Sequence, residues 1–206
     1  AFGKSPNEIL DFFKSVYFFN WKHFTLTKPG FINSDIFRLY LKPIIGEIKI
    51  KDLKKELIIN ATDLIQGETF VFSGDDYLLD AIIASCSVPG LASPFKKDEL
   101  LLSDGGILNN FPTNLIKEKC DKIIGIYVCP LQDVKKNQLN SIKSVATRAY
   151  ELLSHSVENY KFRDCDWLIS PKELSNYGMF ESKKISMDEL FQLGFSEAEK
   201  TFPKDF

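Results

Sequence analysis

The sequence contains no uninterrupted apolar stretch of about 18 residues, the length that a helix needs to cross a membrane. We therefore predict no transmembrane segment, and no secretory signal peptide is visible at the beginning of the sequence. Basic residues form no long run, and the formal net charge is -2, so nothing indicates binding of nucleic acid. We expect a protein that is cytoplasmic or peripheral to a membrane.

Histidine and cysteine are also scarce, with two and four residues respectively. The cysteines have neither the spacing of zinc ligands nor a Cys-x-x-Cys pair, so we predict free, buried thiols and no metal site. His23 and His155 lie in no recognisable motif, and we assign neither of them a catalytic role. No cofactor is expected.

The length of 206 residues, with 44% hydrophobic and 26% charged residues, is typical of a single folded domain over residues 1–206. Helical and strand patterns alternate, which predicts an α/β fold with a mainly parallel sheet between helices. The first helix should begin at Pro6, with Ser5 as its cap and Glu8 completing a capping box. The remaining predicted helices are 36–43, 77–85, 113–118, 139–159 and 187–201, and the predicted strands are 57–62, 69–72, 99–103, 122–129 and 166–170.

The first helix and the residues after it are rich in aromatic side chains. Helical spacing favours core packing for Phe12, Phe13 and Tyr17. Phe18, Trp21 and Phe24 do not follow this spacing. Two interpretations therefore remain for the region, namely core packing or the wall of an acyl-chain pocket or membrane-docking surface.

One candidate catalytic residue is Asp104, which directly follows a predicted strand and precedes Gly105 and Gly106. In sheets of α/β proteins, functional residues gather at the carboxyl ends of the strands. Taken alone this is a weak signal, because Asp-Gly is a common turn pair. Its surroundings strengthen it: the predicted helix before it ends in Ala-Ser-Cys-Ser-Val-Pro-Gly at 84–90, and Asn-Asn-Phe-Pro follows at 109–112.

This order of motifs resembles the patatin-like phospholipase family. Members have a helix that ends in a small-Ser-x-x-Pro-Gly segment, a strand that leads into Asp-Gly-Gly or Asp-Gly-Ala, and then Asn-Asn-x-Pro. The segments 61–64, 121–129 and 194–195 extend the resemblance over essentially the whole chain. The resemblance implies a three-layer α/β fold and hydrolysis of acyl lipids by a serine–aspartate dyad without histidine.

The resemblance also implies roles for three residues. Asp104 would be the general base that takes the proton of the serine and later returns it. Gly105 and Gly106 would allow the backbone to turn with positive φ and to approach the substrate closely.

The family's nucleophile lies in a Gly-x-Ser-x-Gly elbow, and this pentapeptide does not occur in the sequence. A glycine-rich loop for the oxyanion hole is missing as well. We therefore expect a domain that is incomplete at its N-terminus. The nucleophile would come from a missing N-terminal segment or a second chain, and these residues by themselves would be inactive. Ser87 and Ser103 are poor substitutes for the nucleophile.

The alternative is a pseudoenzyme, that is, a non-catalytic lipid-binding or scaffolding module of the same fold. A third hypothesis, an acyl transferase of the malonyl-carrier type, ranks last because that family pairs its serine with a histidine.

Overall fold

A computed structural model describes residues 2–16, 30, 32–34, 36–89, 91–131, 133–177 and 184–203. The chain divides into two compact units, Ala1–Asn110 and Phe111–Phe206, which we call the N-terminal and the C-terminal unit. No helix among the described residues combines the length and the apolar character that crossing a membrane requires.

Helix α1, Pro6–Ser15, begins as the sequence predicts. The main-chain N–H of Glu8 donates to the Ser5 hydroxyl at 3.3 Å, and the Ser5 N–H donates to the Glu8 carboxylate at 2.8 Å. The predicted core packing of its aromatic residues is wrong, because α1 buries no residue and Phe13 is 48% exposed. Tyr17, Phe18, Trp21, His23 and Phe24 lie outside the described residues.

Helix α2, Ile36–Ile45, continues past the predicted end at Pro43. The proline lies in the last turn of the helix, and because it has no N–H it cannot donate to the carbonyl of Leu39. Leu39 is 69% exposed. The helix ends at Gly46, which has a φ of 70° and donates its N–H to the carbonyl of Lys42 at 2.8 Å. Helix α3, Leu78–Ser85, follows the prediction closely.

Four strands form the sheet of the N-terminal unit in the order β2-β1-β4-β3. They are β1 (Asn60–Asp63), β2 (Glu68–Val71), β3 (Phe95–Lys97) and β4 (Leu100–Asp104). All three pairings are antiparallel, so the predicted mainly parallel sheet is wrong for this unit. For the pairs β1–β2 and β3–β4, the physical reason is the length of the connections. The turns 64–67 and 98–99 are too short for the crossover that a parallel pair requires.

The core of the N-terminal unit lies between α3 and the two central strands, β1 and β4. Small side chains let the helix approach the sheet, since Ala61, Ala81 and Ala84 are fully buried. The larger members of this core are Ile50, Phe72, Leu78 and Leu102. This packing places the end of α3 beside the end of β4, where Asp104 lies.

The C-terminal unit contains the strands β5 (Ile124–Ile126) and β6 (Trp167–Ile169) and the helices α4 (Ile142–Glu158) and α5 (Lys184–Thr201). The two strands pair in parallel, as the sequence predicts for this region. The expected burial of β5 on both faces is wrong: Gly125 and Tyr127 are buried, whereas Ile124 and Ile126 are 49% and 62% exposed. The predicted helix 113–118 is a single 3₁₀ turn, Thr113–Leu115.

Two features stabilise the inside of the C-terminal unit. The rings of Phe111, Tyr127 and Phe162 pack against each other with centroid distances between 4.8 and 6.0 Å. Glu158 and Lys161 form a buried ion pair at 3.2 Å, and Glu158 also accepts the main-chain N–H of Phe111 at 2.8 Å. A buried ion pair is tolerated only when such additional hydrogen bonds satisfy the charges.

None of the four cysteines forms a disulfide, and all four lie within the described residues. Their predicted burial is wrong, since Cys86, Cys120 and Cys129 are exposed and Cys165 is partly exposed.

Candidate functional site

Asp104 is the last residue of β4, opposite Ala61 of β1, and the chain then turns through one 3₁₀ turn, Gly105–Ile107. Its carboxylate Oδ1 accepts the N–H of Gly106 at 2.6 Å, and its own N–H donates to the carbonyl of Ser87 at 3.0 Å. Among the residues that the structure describes, no donor contacts Oδ2. One oxygen is thus held in place, and the other can accept a further hydrogen bond.

Burial raises the pKa of Asp104 above its usual value, and the hydrogen bond from Gly106 offsets part of this increase. No described cation contributes to the pKa of this carboxyl. Burial disfavours the charged form of a carboxyl group and so makes the carboxylate a stronger base. The arrangement suits a group that accepts a proton in one step and releases it in the next.

Gly105 and Gly106 are needed for a different reason from the one we expected. The described glycines with positive φ are Gly3, Gly46 and Gly67, so neither glycine of the motif has this conformation. A Cβ on Gly105 would lie 2.6 Å from the main-chain oxygen of Asn60, and a Cβ on Gly106 would lie 2.8 Å from the Asp104 carboxylate. Close packing against the backbone therefore excludes a side chain at Gly105, and a side chain at Gly106 would displace the Asp104 carboxylate.

Asn60, the first residue of β1, is a part of the site that the sequence analysis missed. Its buried carboxamide donates from Nδ2 to the carbonyl of Asn109 at 3.0 Å and to that of Gly105 at 3.5 Å. The N–H of Asn109 also donates to the Gly105 carbonyl at 2.9 Å. No local pattern marks Asn60, which lies 45 residues before Gly105 in the sequence.

Ser87 and Ser103 lie close to Asp104, but both side chains serve the fold. Both residues are fully buried. The Ser87 hydroxyl donates to the carbonyl of Ile83 at 2.7 Å, and the Ser103 hydroxyl donates to the carbonyl of Ser87 at 2.6 Å. The Ser87 carbonyl thus receives two donors from the end of β4, which joins the end of α3 to the strand.

Two Gly-x-Ser triplets occur in the sequence, at 3–5 and 194–196, and neither continues to a second glycine. Ser5 is the cap of α1, and Ser196 lies inside α5. Neither serine occupies a turn between a strand and a helix, where an elbow would lie.

The remaining reactive side chains of the described part of the chain do not form a second site. Cys86, at the end of α3, is exposed as a residue, but desolvation of its thiol, and after it the charge of Asp104, raises the thiol pKa to about 11. The thiol therefore stays protonated at neutral pH. His155 lies in the C-terminal unit with its Nδ1 3.4 Å from the Tyr127 hydroxyl. No cluster of metal-binding side chains occurs within the described residues.

Helices packed on a sheet, with one partly buried carboxyl group at the end of a strand, define an α/β protein with a candidate general base. The sequence profile of the family described as patatin-like phospholipase matches residues 1–116, which is more than half of the chain. The chain belongs to this family. The matched residues include Asn60, the end of α3 and the whole Asp104 turn.

Two uncharacterized NTE family proteins of Mycobacterium tuberculosis, Rv2565 and Rv1063c, are similar to this chain. Each is 33% identical to it, over 84 residues (41% of this chain) and 89 residues (43%), respectively. The aligned part covers 14% of Rv2565 and 24% of Rv1063c. The chain therefore aligns with only a small part of the length of these relatives.

Proposed function

We propose that this chain is part of a lipid acyl hydrolase that uses a serine–aspartate dyad, with Asp104 as the general base. The family suggests hydrolysis of acyl lipids. The observation that carries the proposal is the Asp104 carboxylate itself, which burial makes more basic and which offers one oxygen without a donor among the described residues. The proposed substrates are phospholipids or lysophospholipids, met by the protein at a membrane surface.

In the proposed reaction, Asp104 takes the proton of a serine hydroxyl while the serine oxygen attacks the carbonyl carbon of the ester. The tetrahedral intermediate collapses when Asp104 returns this proton to the leaving alcohol, which leaves an acyl-enzyme. Asp104 then takes a proton from water, the resulting hydroxide releases the fatty acid, and the proton returns to the serine. Each proton enters and leaves through the same carboxyl group, so no histidine is required.

The nucleophilic serine is proposed to lie outside these 206 residues, either in another part of the protein or on a second chain, because no Gly-x-Ser-x-Gly is present here. We further propose that both units belong to one patatin-like domain, whose three layers of helix, sheet and helix are completed by that segment. The reaction needs no cofactor.

A second candidate function is a non-catalytic lipid-binding or scaffolding module. The absence of an elbow serine from the sequence favours this reading. A fluorophosphonate probe separates the two candidates, because it labels an activated serine in the complete protein and leaves a pseudoenzyme unlabelled.

The proposal is tested by Asp104→Asn in the complete protein that contains this chain. The carboxamide keeps an oxygen for the Gly106 N–H but cannot act as a base, so release of fatty acid should fall by roughly 10²–10⁴-fold. Release is measured on phospholipid vesicles, and thermal unfolding checks that the variant is folded.

Asp63→Asn is the matched control. Asp63 is also a buried aspartate of the same sheet, but it lies at the opposite end of β1, where it accepts the N–H of Ile65 at 3.0 Å. This control should keep wild-type activity. Unchanged release by the Asp104→Asn variant would reject the dyad.

A further inference from the structure

The turn that follows Asp104 closes on a single carbonyl group, that of Gly105. From Gly105 to Asn109 the chain closes through the N–H groups of Leu108 and Asn109, which both donate to the Gly105 carbonyl. The carboxylate depends on this turn, because its one donor among the described residues is the N–H of Gly106 inside it. A small change in the turn would therefore move Oδ1 and change the direction in which Oδ2 points.

Asn60 contacts both ends of this turn. A carboxamide nitrogen carries two hydrogens, and in Asn60 they reach the carbonyls of Gly105 and Asn109, the first and the last residue of the turn. Asn60 belongs to β1, which is paired with β4 on one side and with β2 on the other. The side chain therefore ties the turn to the centre of a sheet.

The close packing at Gly105 adds a second constraint from the same residue. The position of a Cβ on Gly105 would lie 2.6 Å from Nδ2 and 2.6 Å from the main-chain oxygen of Asn60. The turn thus lies directly on Asn60, and no water molecule fits between them. When the carboxamide is lost, its two carbonyl partners in this buried place lose a donor that water cannot easily replace.

We propose that Asn60 is a positioning residue for the reaction, which sets the conformation of the Gly105–Asn109 turn and through it the direction of the Asp104 carboxylate. This inference rests on the proposed function of Asp104. Asn60 acts on the base and does not touch the substrate. It should therefore affect the chemical step more than the binding of lipid.

The test uses Asn60→Ala in the complete protein. We expect kcat to fall by about 10²-fold, the effect typical of a catalytic group displaced by about 1 Å, while KM changes little. In the wild-type protein, the hydrogen bond from the Gly106 N–H lowers the pKa of Asp104. Relaxation of the turn weakens this bond, so the pKa of Asp104 should rise in the variant. The acid limb of the kcat/KM profile should therefore move to higher pH.

Asp63→Ala is the control for lost stability. It removes a buried side chain of the same strand, which accepts the N–H of Ile65 in the turn at the far end of β1 from Asp104. This control should keep the kcat and the acid limb of the wild-type protein. If Asn60→Ala does not fold, Asn60→Ser, which keeps one hydroxyl donor, is measured in its place and should show the same two changes in weaker form.

A wild-type kcat and acid limb in the Asn60 variant would overturn the inference. A parallel loss in the Asn60 and Asp63 variants that follows their thermal unfolding would overturn it too, because Asn60 would then serve the fold alone. Asp104→Asn measured beside them separates the two proposals. If that variant is inactive while Asn60→Ala is normal, the dyad stands and the role of Asn60 fails, whereas an active Asp104→Asn rejects both.

Discussion

A carboxylate is a weak base at neutral pH, with an ordinary pKa near ~3.9, so its surroundings decide whether it can activate an alcohol. Around Asp104, burial raises this pKa and one main-chain N–H lowers it again. The N–H comes from Gly106, where a side chain would lie 2.8 Å from the carboxylate oxygen. The glycine is thus needed so that the donor can come close to the base.

Gly105 provides a direct test of the close packing at this turn. Gly105→Ala would place a Cβ 2.6 Å from the main-chain oxygen of Asn60, which the sheet holds in position. We expect a loss of about 1–3 kcal/mol in the free energy of unfolding, as is typical of overpacking. Thermal or urea unfolding measures this loss.

Gly194→Ala is the control for this substitution. Gly194 lies inside α5, and a Cβ there would have no atom within 4 Å. In a helix, alanine is favoured over glycine by about 0.5–1 kcal/mol, so this variant should be more stable than the wild type. The explanation by close packing is wrong if Gly105→Ala unfolds like the wild-type protein.

At the scale of elements, three segments meet at Asp104. Strand β4 ends there, β1 lies beside it, and the end of α3 supplies the Ser87 carbonyl that accepts both the Asp104 N–H and the Ser103 hydroxyl. The segment between α3 and β3 is thus a structural support of the site. Ser87 in this segment is a candidate nucleophile by its place in the sequence, but in the structure it is buried and its hydroxyl donates to the Ile83 carbonyl.

Helix α1 shows how a local motif makes an element depend on pH. The pKa of Glu8 is lowered from 4.5 to about 2, chiefly by the hydrogen bond from the Ser5 N–H and then by Lys4. Because the pKa is lower in the folded state, this contribution to the helix is present above pH 4.5 and is lost as the pH falls towards 2. Amide exchange of residues 9–15 should accelerate over this range relative to the intrinsic rates.

Glu8→Gln is the control, because glutamine can complete a capping box without titrating. The variant should lose the pH dependence and keep the helix. Equal pH dependence in the two proteins would show that another group is responsible.

At the scale of the whole molecule, the two compact units and the family match do not coincide. The match ends at residue 116, shortly after the boundary of the N-terminal unit at Asn110. The Asp104 turn lies entirely in the matched part. The relatives are much longer than the part aligned with this chain, so their length leaves room for a nucleophile elsewhere.

We expect the chain of 206 residues by itself to release no fatty acid and to remain unlabelled by a fluorophosphonate probe, because it has no elbow serine. The complete protein should be labelled and active, since losing a dyad's nucleophile removes nearly all of its rate enhancement. Labelling followed by gel fluorescence measures this difference. Labelling of the isolated chain at any serine would contradict the proposal.

The sequence alone was sufficient for features that depend on neighbouring residues. The start of α1 follows from Ser5, Pro6 and Glu8, whose contacts span three residues. The limits of α3 follow from its apolar pattern and from the Pro-Gly pair that follows it. Asp104 at the end of a strand, followed by two glycines, was also predictable, because strand and turn patterns are local.

Only the tertiary structure decided the features that join distant parts of the chain. The direction of the sheet depends on which strands pair, and the tight turns between them outweigh the alternation of helices and strands that favoured a parallel sheet. The role of Asn60 arises because β1 brings it beside a turn 45 residues away. For the same reason, glycine is required at position 105 because the backbone of Asn60 packs against it. The φ of Gly105 is not positive, so its own conformation does not require glycine.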